Sequence, residues 1–170
     1  DAGSIEVEGR PVQLRGPTAA RRAGVSVIYQ EFNLVPALTA RENIFLGQEP
    51  SRFGWLPVSQ EHRRSRDLFE RIGVAIDPET PCRDLTVAQQ QVVEIAKALS
   101  REAKVVVMDE PSAALSPRET RHLFAVIREL QAQGIGVIYI SHRLNEVFEI
   151  ADRVMVLRDG AHVGTRPIGE

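Results

Sequence analysis

The 170-residue sequence has a single cysteine, Cys82, so it can form neither an internal disulfide nor a cysteine-built zinc cluster. Its longest apolar runs, residues 105–108 and 135–140, are far too short to span a bilayer. It has no excess of basic charge. The 21 Lys and Arg against 23 Asp and Glu leave a formal charge of −2, so no positive field attracts DNA or RNA, and no nucleic-acid partner is expected. The opening Asp1-Ala-Gly-Ser has no initiator methionine and neither the basic start nor the apolar core of a secretory leader. It reads as a turn into Ile5 and hence as the middle of a domain, with the cytosol or the cytosolic face of a membrane as the expected location. There is no internal repeat, low-complexity tract or interdomain linker. With 43% hydrophobic and 26% charged residues, the remaining class is a globular domain, or a large part of a bigger one.

Residues 5–8 alternate apolar and acidic, Gly9 turns the chain, and residues 11–14 return, which is a hairpin signature. Residues 18–22 suit a short helix ending near Gly24, and residues 25–29 a compact apolar strand. Thr39-Ala-Arg-Glu42 is a capping box opening a helix that carries Ile44, Phe45 and Leu46. Gly47, Pro50, Gly54 and Pro57 then break the chain before a charged amphipathic helix over residues 59–72 and a second helix over 87–99. The remainder alternates: a buried-type strand at 105–108, a second capping box at Ser116-Pro-Arg-Glu119, and a helix running to about Gln133 and stopping at Gly134. A buried-type strand at 135–140, a helix at 143–151 and a strand at 153–157 ended by Asp159-Gly160 complete it. This predicts an α/β fold, a parallel sheet flanked by helices.

Several stretches carry chemistry. Residues 105–108 deliver Asp109 and Glu110 to the carboxyl end of a strand, where ligands bind in open parallel sheets. An acid there can hold Mg²⁺ through oxygen and the next can polarise a water; a solvated acidic turn is the plain alternative. Residues 138–140 deliver Ser141 and His142 in the same way, and His142 suits a terminal phosphate, although an isolated histidine there is commonly a cap or a solvated side chain. Gln30, after the strand at 25–29, offers an amide oxygen to a metal and an amide nitrogen to a phosphate, but means little alone. The stretch from Leu85 through Thr86, Val87, Ala88 and Gln89 opens a helix whose free N–H groups favour anions, or is an ordinary Thr-capped helix.

Taken in order, these stretches resemble the nucleotide-binding domain of ATP-binding-cassette transporters over nearly the whole chain. Tyr29-Gln30 matches the Q-loop, residues 85–89 the signature motif, residues 105–110 the Walker B strand with its catalytic glutamate, residues 111–115 the D-loop, and His142 the switch histidine. Gln30-Glu-Phe-Asn-Leu-Val-Pro36, Arg41-Glu-Asn-Ile-Phe-Leu-Gly47, residues 89–99 and Tyr139-Ile-Ser-His-Arg143 further resemble the first cassette of tandem sugar-import ATPases of the ribose, xylose and galactose type. The resemblance implies a P-loop NTPase-like sheet with an antiparallel hairpin and a helical subdomain. It divides the chain into a hairpin and Q-loop region (1–46), a helical subdomain with the signature helix (47–100) and an α/β core (101–170). It implies Glu110 and His142 as catalytic residues, and Gln30, Thr86, Val87, Ala88, Gln89, Asp109 and Ser141 as nucleotide-binding ones. Mg²⁺ accompanying ATP would be held by Gln30 and Asp109. The implied partners are ATP, a second cassette, membrane permease subunits and, indirectly, a periplasmic sugar-binding protein, all at the cytoplasmic face of the plasma membrane.

The sequence departs from the family in three ways. No Gly-x-x-x-x-Gly-Lys-Ser/Thr phosphate loop occurs, so the chain is expected to be a fragment or truncated product that starts after that loop, without the strand that lies beside residues 135–140 in the family. Thr86, Val87 and Ala88 stand where Ser-Gly-Gly is usual, and Ser116 replaces the usual D-loop aspartate. A DNA-repair or translation cassette, or an inactive remnant that binds no ATP, are the competing readings.

Overall fold

The computed structural model describes residues 3–48 and 57–169. An antiparallel hairpin of β1 (Ile5–Val7) and β2 (Arg10–Val12) comes first, turning through Glu8 and Gly9, both at positive φ as a tight two-residue turn requires. Helix α1 (Pro17–Arg22) leads to β3 (Val25–Ile28) through Gly24, at φ 82°. The Gly24 carbonyl accepts the N–H groups of Lys104 (2.7 Å) and Val105 (3.0 Å), and a Cβ here would lie 2.9 Å from Lys104 Cγ. Glycine therefore lets two parallel strands begin side by side.

The helical part contains α2 (Ala40–Phe45), α3 (Val58–Ile72), a 3-10 turn at Cys82–Asp84 and α4 (Val87–Leu99). Pro50 and Gly54, read as chain breakers, lie outside the described residues. The Thr39 box forms as expected, with both reciprocal hydrogen bonds to Glu42. Helix α2 packs against both α3 and α4. Buried Arg41 locks the unit, reaching Glu79 and Glu61 at 2.7 Å each, while buried Asn43 accepts the Val35 N–H (2.7 Å) and donates to the Val35 carbonyl (3.0 Å).

The remaining elements are β4 (Val105–Asp109), α5 (Pro117–Ala132), β5 (Gly136–Ile140), α6 (Leu144–Ile150), β6 (Arg153–Arg158) and β7 (Ala161–Pro167). Strands β3, β4 and β5 form a parallel sheet in that order, in register through Ile28, Met108 and Tyr139. One face buries Ile28, Val106 and Met108 among the core that also holds Val92, Val93 and Ile95 of α4 and Leu123, Phe124 and Ile127 of α5. That layering matches the expected α/β class. Among the described residues no helix is long and apolar enough to cross a membrane.

Two strands differ from expectation. Residues 135–140 read as buried, yet Ile138 is 52% and Ile140 46% exposed. Among the described residues strand β5 has a ladder on one side only, and on the face it shares with Val27 and Val107 both Val27 and Ile138 stand exposed. The strand–helix alternation predicts that β6 continues the parallel sheet. Instead it pairs antiparallel with β7 and has no ladder to β5 among the described residues. The antiparallel pairing follows from Asp159-Gly160, at φ 50° and 75°, which makes a two-residue hairpin turn rather than a strand end.

Candidate active site

The parallel register brings three strand ends to one edge. Gln30 lies just beyond β3 and is exposed; Asp109 is the last residue of β4; Ser141 and His142 follow β5. Glu110 comes next after Asp109 in a left-handed conformation, φ 45°, and its N–H donates to the Ile140 carbonyl at 2.9 Å. A non-glycine residue held there carries strain of about 1–3 kcal/mol, which persists only where surroundings impose it. The result is direct: His142 Nδ1 lies 2.9 Å from Glu110 Oε1. Facing a carboxylate oxygen, Nδ1 is assigned as the donor, and Nε2 is the ring's second polar atom. Asp109 and Glu110 are half-buried and His142 exposed, so an incoming ligand can reach the pair.

Behind this pair lies a buried polar cluster. Glu146 of α6 accepts hydrogen bonds from Ser112 Oγ (2.6 Å), Tyr139 OH (2.8 Å), Ser141 Oγ (3.3 Å) and Arg143 (3.1 Å). Burial pushes the Glu146 carboxyl up, but its bonds from Ser112, Tyr139 and Arg143 outweigh that and hold it below the usual carboxylate range. Burial, then the Glu146 carboxylate, drives the Tyr139 hydroxyl well above its ordinary value, so it remains a donor.

The signature stretch is organised differently. Thr86 caps α4: its hydroxyl accepts the Gln89 N–H (3.3 Å) and donates to Gln89 Oε1 (3.1 Å), and its own N–H donates to that same oxygen (2.9 Å). The N–H groups of Val87 and Ala88 fall in the first turn and have no intrahelical acceptor. The side-chain hydrogen bonds of Thr86 and Gln89 run between those two residues, so the structure does not join 86–89 to Asp109, Glu110 or His142. Gln90 fixes the approach by donating to the carbonyls of Cys82 (3.0 Å) and Leu85 (3.1 Å).

Sequence reasoning missed the residues that hold these stretches in place. Glu94 of α4 accepts the Asn33 N–H at 2.9 Å while Lys97 donates to the Asn33 carbonyl at 3.1 Å, clamping the chain after Gln30 onto the signature helix. The available signal was an acid and a base three residues apart on a helix that buries most of its residues. A hollow of about 410 Å³ lies between Gln30, Glu31 and Phe32 on one side and Cys82 and Gln90 on the other. A larger one, about 670 Å³ and formed within residues 12–23, contains none of the strand-end residues, so chemistry rather than volume locates the site.

A family profile described as ABC transporter matches residues 1–113. The chain is 55% identical over 164 residues to a ribose import ATP-binding protein of Rubrobacter xylanophilus, covering 96% of this chain and 33% of that protein. It is 50% identical over 166 residues to a putative ribose/galactose/methyl galactoside import ATP-binding protein of Burkholderia cenocepacia, covering 97% and 32%. It thus spans about a third of the length of the curated relatives it matches. An ATP-binding cassette of an ABC transporter, solved in its ADP conformation, superimposes with a TM-score of 0.84 at 23% identity, over 98% of this chain and 70% of that one. At that identity the likeness speaks for the fold.

Proposed function

The chain belongs to the ABC transporter family, and on that premise we propose that it carries the hydrolytic strand ends and the signature helix of an ATPase cassette that powers sugar uptake. The observation that carries this reading is the Glu110–His142 pair, 2.9 Å apart beside Asp109 at the carboxyl edge of a parallel sheet. Glu110 orients or deprotonates the attacking water, and His142, held by Glu110, contacts the γ-phosphate. Gln30 faces the same phosphate from the neighbouring strand end, whereas the Ser141 hydroxyl is turned to Glu146 and the Arg143 N–H, so Ser141 would reach the phosphate only by leaving those partners. Thr86, Val87, Ala88 and Gln89 present their helix start to ATP seated on a second cassette.

The donor set suits Mg²⁺ in part. Among the described residues no group of three or more His, Cys, Asp or Glu side chains is placed to hold a metal. Yet Mg²⁺ with a nucleotide needs only one or two protein oxygens, and Asp109 and Gln30 supply a carboxylate and an amide oxygen. When bound with ATP, the ion neutralises phosphate charge.

Sugar as cargo comes to this chain from the import proteins it resembles. The partners are then a second cassette, membrane permease subunits and, through them, a periplasmic sugar-binding protein, and the site of action is the cytoplasmic face of the plasma membrane. The hollow between Gln30 and Gln90 is the surface we assign to the permease. We keep the division 1–46, 47–100 and 101–170 as a proposal, although α2, which falls in the first stretch, packs with α3 and α4 of the second.

The test is Glu110→Gln in the full-length gene product. The amide keeps the shape and cannot take a proton, so ATP binding should hold while hydrolysis and sugar uptake fall by about 10²-fold or more. His142→Ala should also slow turnover. Unchanged ATPase rates in both variants overturn the assignment.

A further inference from the structure

We propose that Glu146 is a positioning residue for hydrolysis: its carboxylate ties the turn that follows Glu110 to the turn that carries His142, and so keeps those two groups at hydrogen-bond distance. The inference rests on the ATPase reading above and goes beyond it, because Glu146 touches neither reacting group.

Helix α6 breaks its own amphipathic pattern at Glu146. Leu144 and Phe148 are 65% and 62% exposed, while Glu146 between them is 7% exposed. Ile150 packs in the core and Glu149 is exposed, as an ordinary amphipathic helix requires, so the departure is local: Glu146 is turned inward between two exposed apolar residues, and such departures concentrate where function demands them. The donors identify the demand. Ser112 lies two residues after Glu110, and Ser141 lies one before His142; both hydroxyls donate to the same oxygen, Oε2. Arg143, one residue after His142, donates to Oε1 and reaches back to the carbonyls of Ser112 (3.3 Å) and Ala113 (3.4 Å). Ser141 Oγ accepts the Arg143 N–H at 3.0 Å. Every loop residue on the carboxylate therefore comes from one of two turns, and those turns carry Glu110 and His142.

The Glu110–His142 contact is too exposed to hold itself. His142's side chain is 71% exposed, and pairs of that kind contribute little on their own. Apart from it, the turns are tied directly by Glu110 N–H to the Ile140 carbonyl and by Arg143 to the Ser112 and Ala113 carbonyls, and Glu146 holds that same Arg143. A buried, charge-assisted cluster is stronger and directional, and it fixes the strained backbone of Glu110 from behind. Displacement of a reacting group by about 1 Å can cost roughly 10²-fold in rate, so this support bears on turnover rather than on ATP affinity.

A merely stabilising role predicts something different, and two conservative substitutions separate the cases. Ser112→Ala and Tyr139→Phe each remove one hydroxyl from Glu146 Oε2, but Ser112 belongs to the turn after Glu110 whereas Tyr139 belongs to strand β5 and to neither turn. In the full-length gene product, Ser112→Ala is expected to lower kcat roughly tenfold with KM for ATP unchanged, while Tyr139→Phe lowers Tm comparably and leaves kcat unchanged. Glu146→Ala should lower kcat about 10²-fold, and Glu146→Gln, which keeps acceptor and shape, should restore much of it. If Glu146→Ala does not fold, the two hydroxyl variants decide alone. Equal kcat for Ser112→Ala and Tyr139→Phe, whatever their Tm, overturns the proposal. Glu110→Gln run alongside separates the two failures: if it hydrolyses ATP normally, the ATPase reading falls; if it does not and Ser112→Ala does, only the role of Glu146 falls.

Discussion

Glu94 and Glu146 are both carboxylates shut away from water, and their surroundings push them in opposite directions. At Glu94 burial dominates and raises the carboxyl above its ordinary value; Lys97, the single N–H from Asn33 and Arg101 only partly offset it. At Glu146 burial is outweighed by hydrogen bonds and the carboxyl is held low. The consequences for stability have opposite signs. The Glu94 contribution is present below the unfolded carboxyl value of about 4.3 and is lost as pH rises through its folded value, so at neutral pH its charge is carried at a cost. The Glu146 contribution is present above about 4.3 and is lost as pH falls through its folded value. Glu94→Gln keeps an acceptor for Asn33 and removes the charge, so it should raise Tm at pH 8 and change it little at pH 4. Glu146→Gln should lower Tm at pH 8 and lose that effect in acid. Thermal melts of the full-length gene product at both pH values check the pair, and a lower Tm for Glu94→Gln at pH 8 contradicts the account.

Among elements, helix α4 shows how cap and ligand site compete. The Thr86 hydroxyl is engaged with Gln89 as both donor and acceptor, so a phosphate must either share it or displace Gln89. Val87 and Ala88 add a branched side chain and a methyl group where close approach of backbone N–H groups is needed, which glycine would allow. Installing glycine at both positions should cost the helix about 1 kcal/mol per residue relative to alanine yet speed single-turnover hydrolysis at the site under this helix roughly tenfold. Lower stability with no faster turnover would mean that the altered signature is neutral. Local chemistry of this kind was largely legible in the sequence. The Thr39 and Ser116 boxes, the helix starting at Val87 and the acids ending β4 are patterns of adjacent residues, and each forms where the sequence pattern puts it. Strand β7 is not legible because Gly164 and Pro167 interrupt its alternation and Asp159-Gly160 suits a strand end as well as a hairpin turn. Glu146 escaped for a different reason. On a short helix an acid reads as the wet face, and one of its donors, Ser112, lies 34 residues away along the chain, so only the folded chain brings them together.

At the scale of the whole molecule, the sheet has one face packed and one face bare. Parallel strands are built to be covered on both sides, and the sequences of β4 and β5 are apolar on both. Val27, Ile138 and Ile140 nevertheless stand 42%, 52% and 46% exposed, and Met155, Val156 and Leu157 of β6 face solvent nearby in sequence without a ladder to β5. The family resemblance sets the strand that leads into the phosphate loop beside β5, which would give this edge a partner but cover neither face, so burial of Ile138 requires a further element packed on the bare side. Ile138 can test whether the face is covered in the working protein, because a lysine there has opposite consequences in the two cases. In the 170-residue chain expressed alone, Ile138→Lys places a charge on an open apolar edge, so it should reduce aggregation and dye binding to exposed apolar surface. In the full-length gene product the same lysine would be buried without a partner, and the protein should lose about 3 kcal/mol or more of stability or fail to accumulate. Measuring soluble yield, fluorescence of a hydrophobic dye and the melting transition in both backgrounds reads the two signs directly. A sharp cooperative melt from a soluble, dye-free 170-residue monomer, or a full-length Ile138→Lys protein as stable as its parent, would show that this face is not a covered surface of the fold.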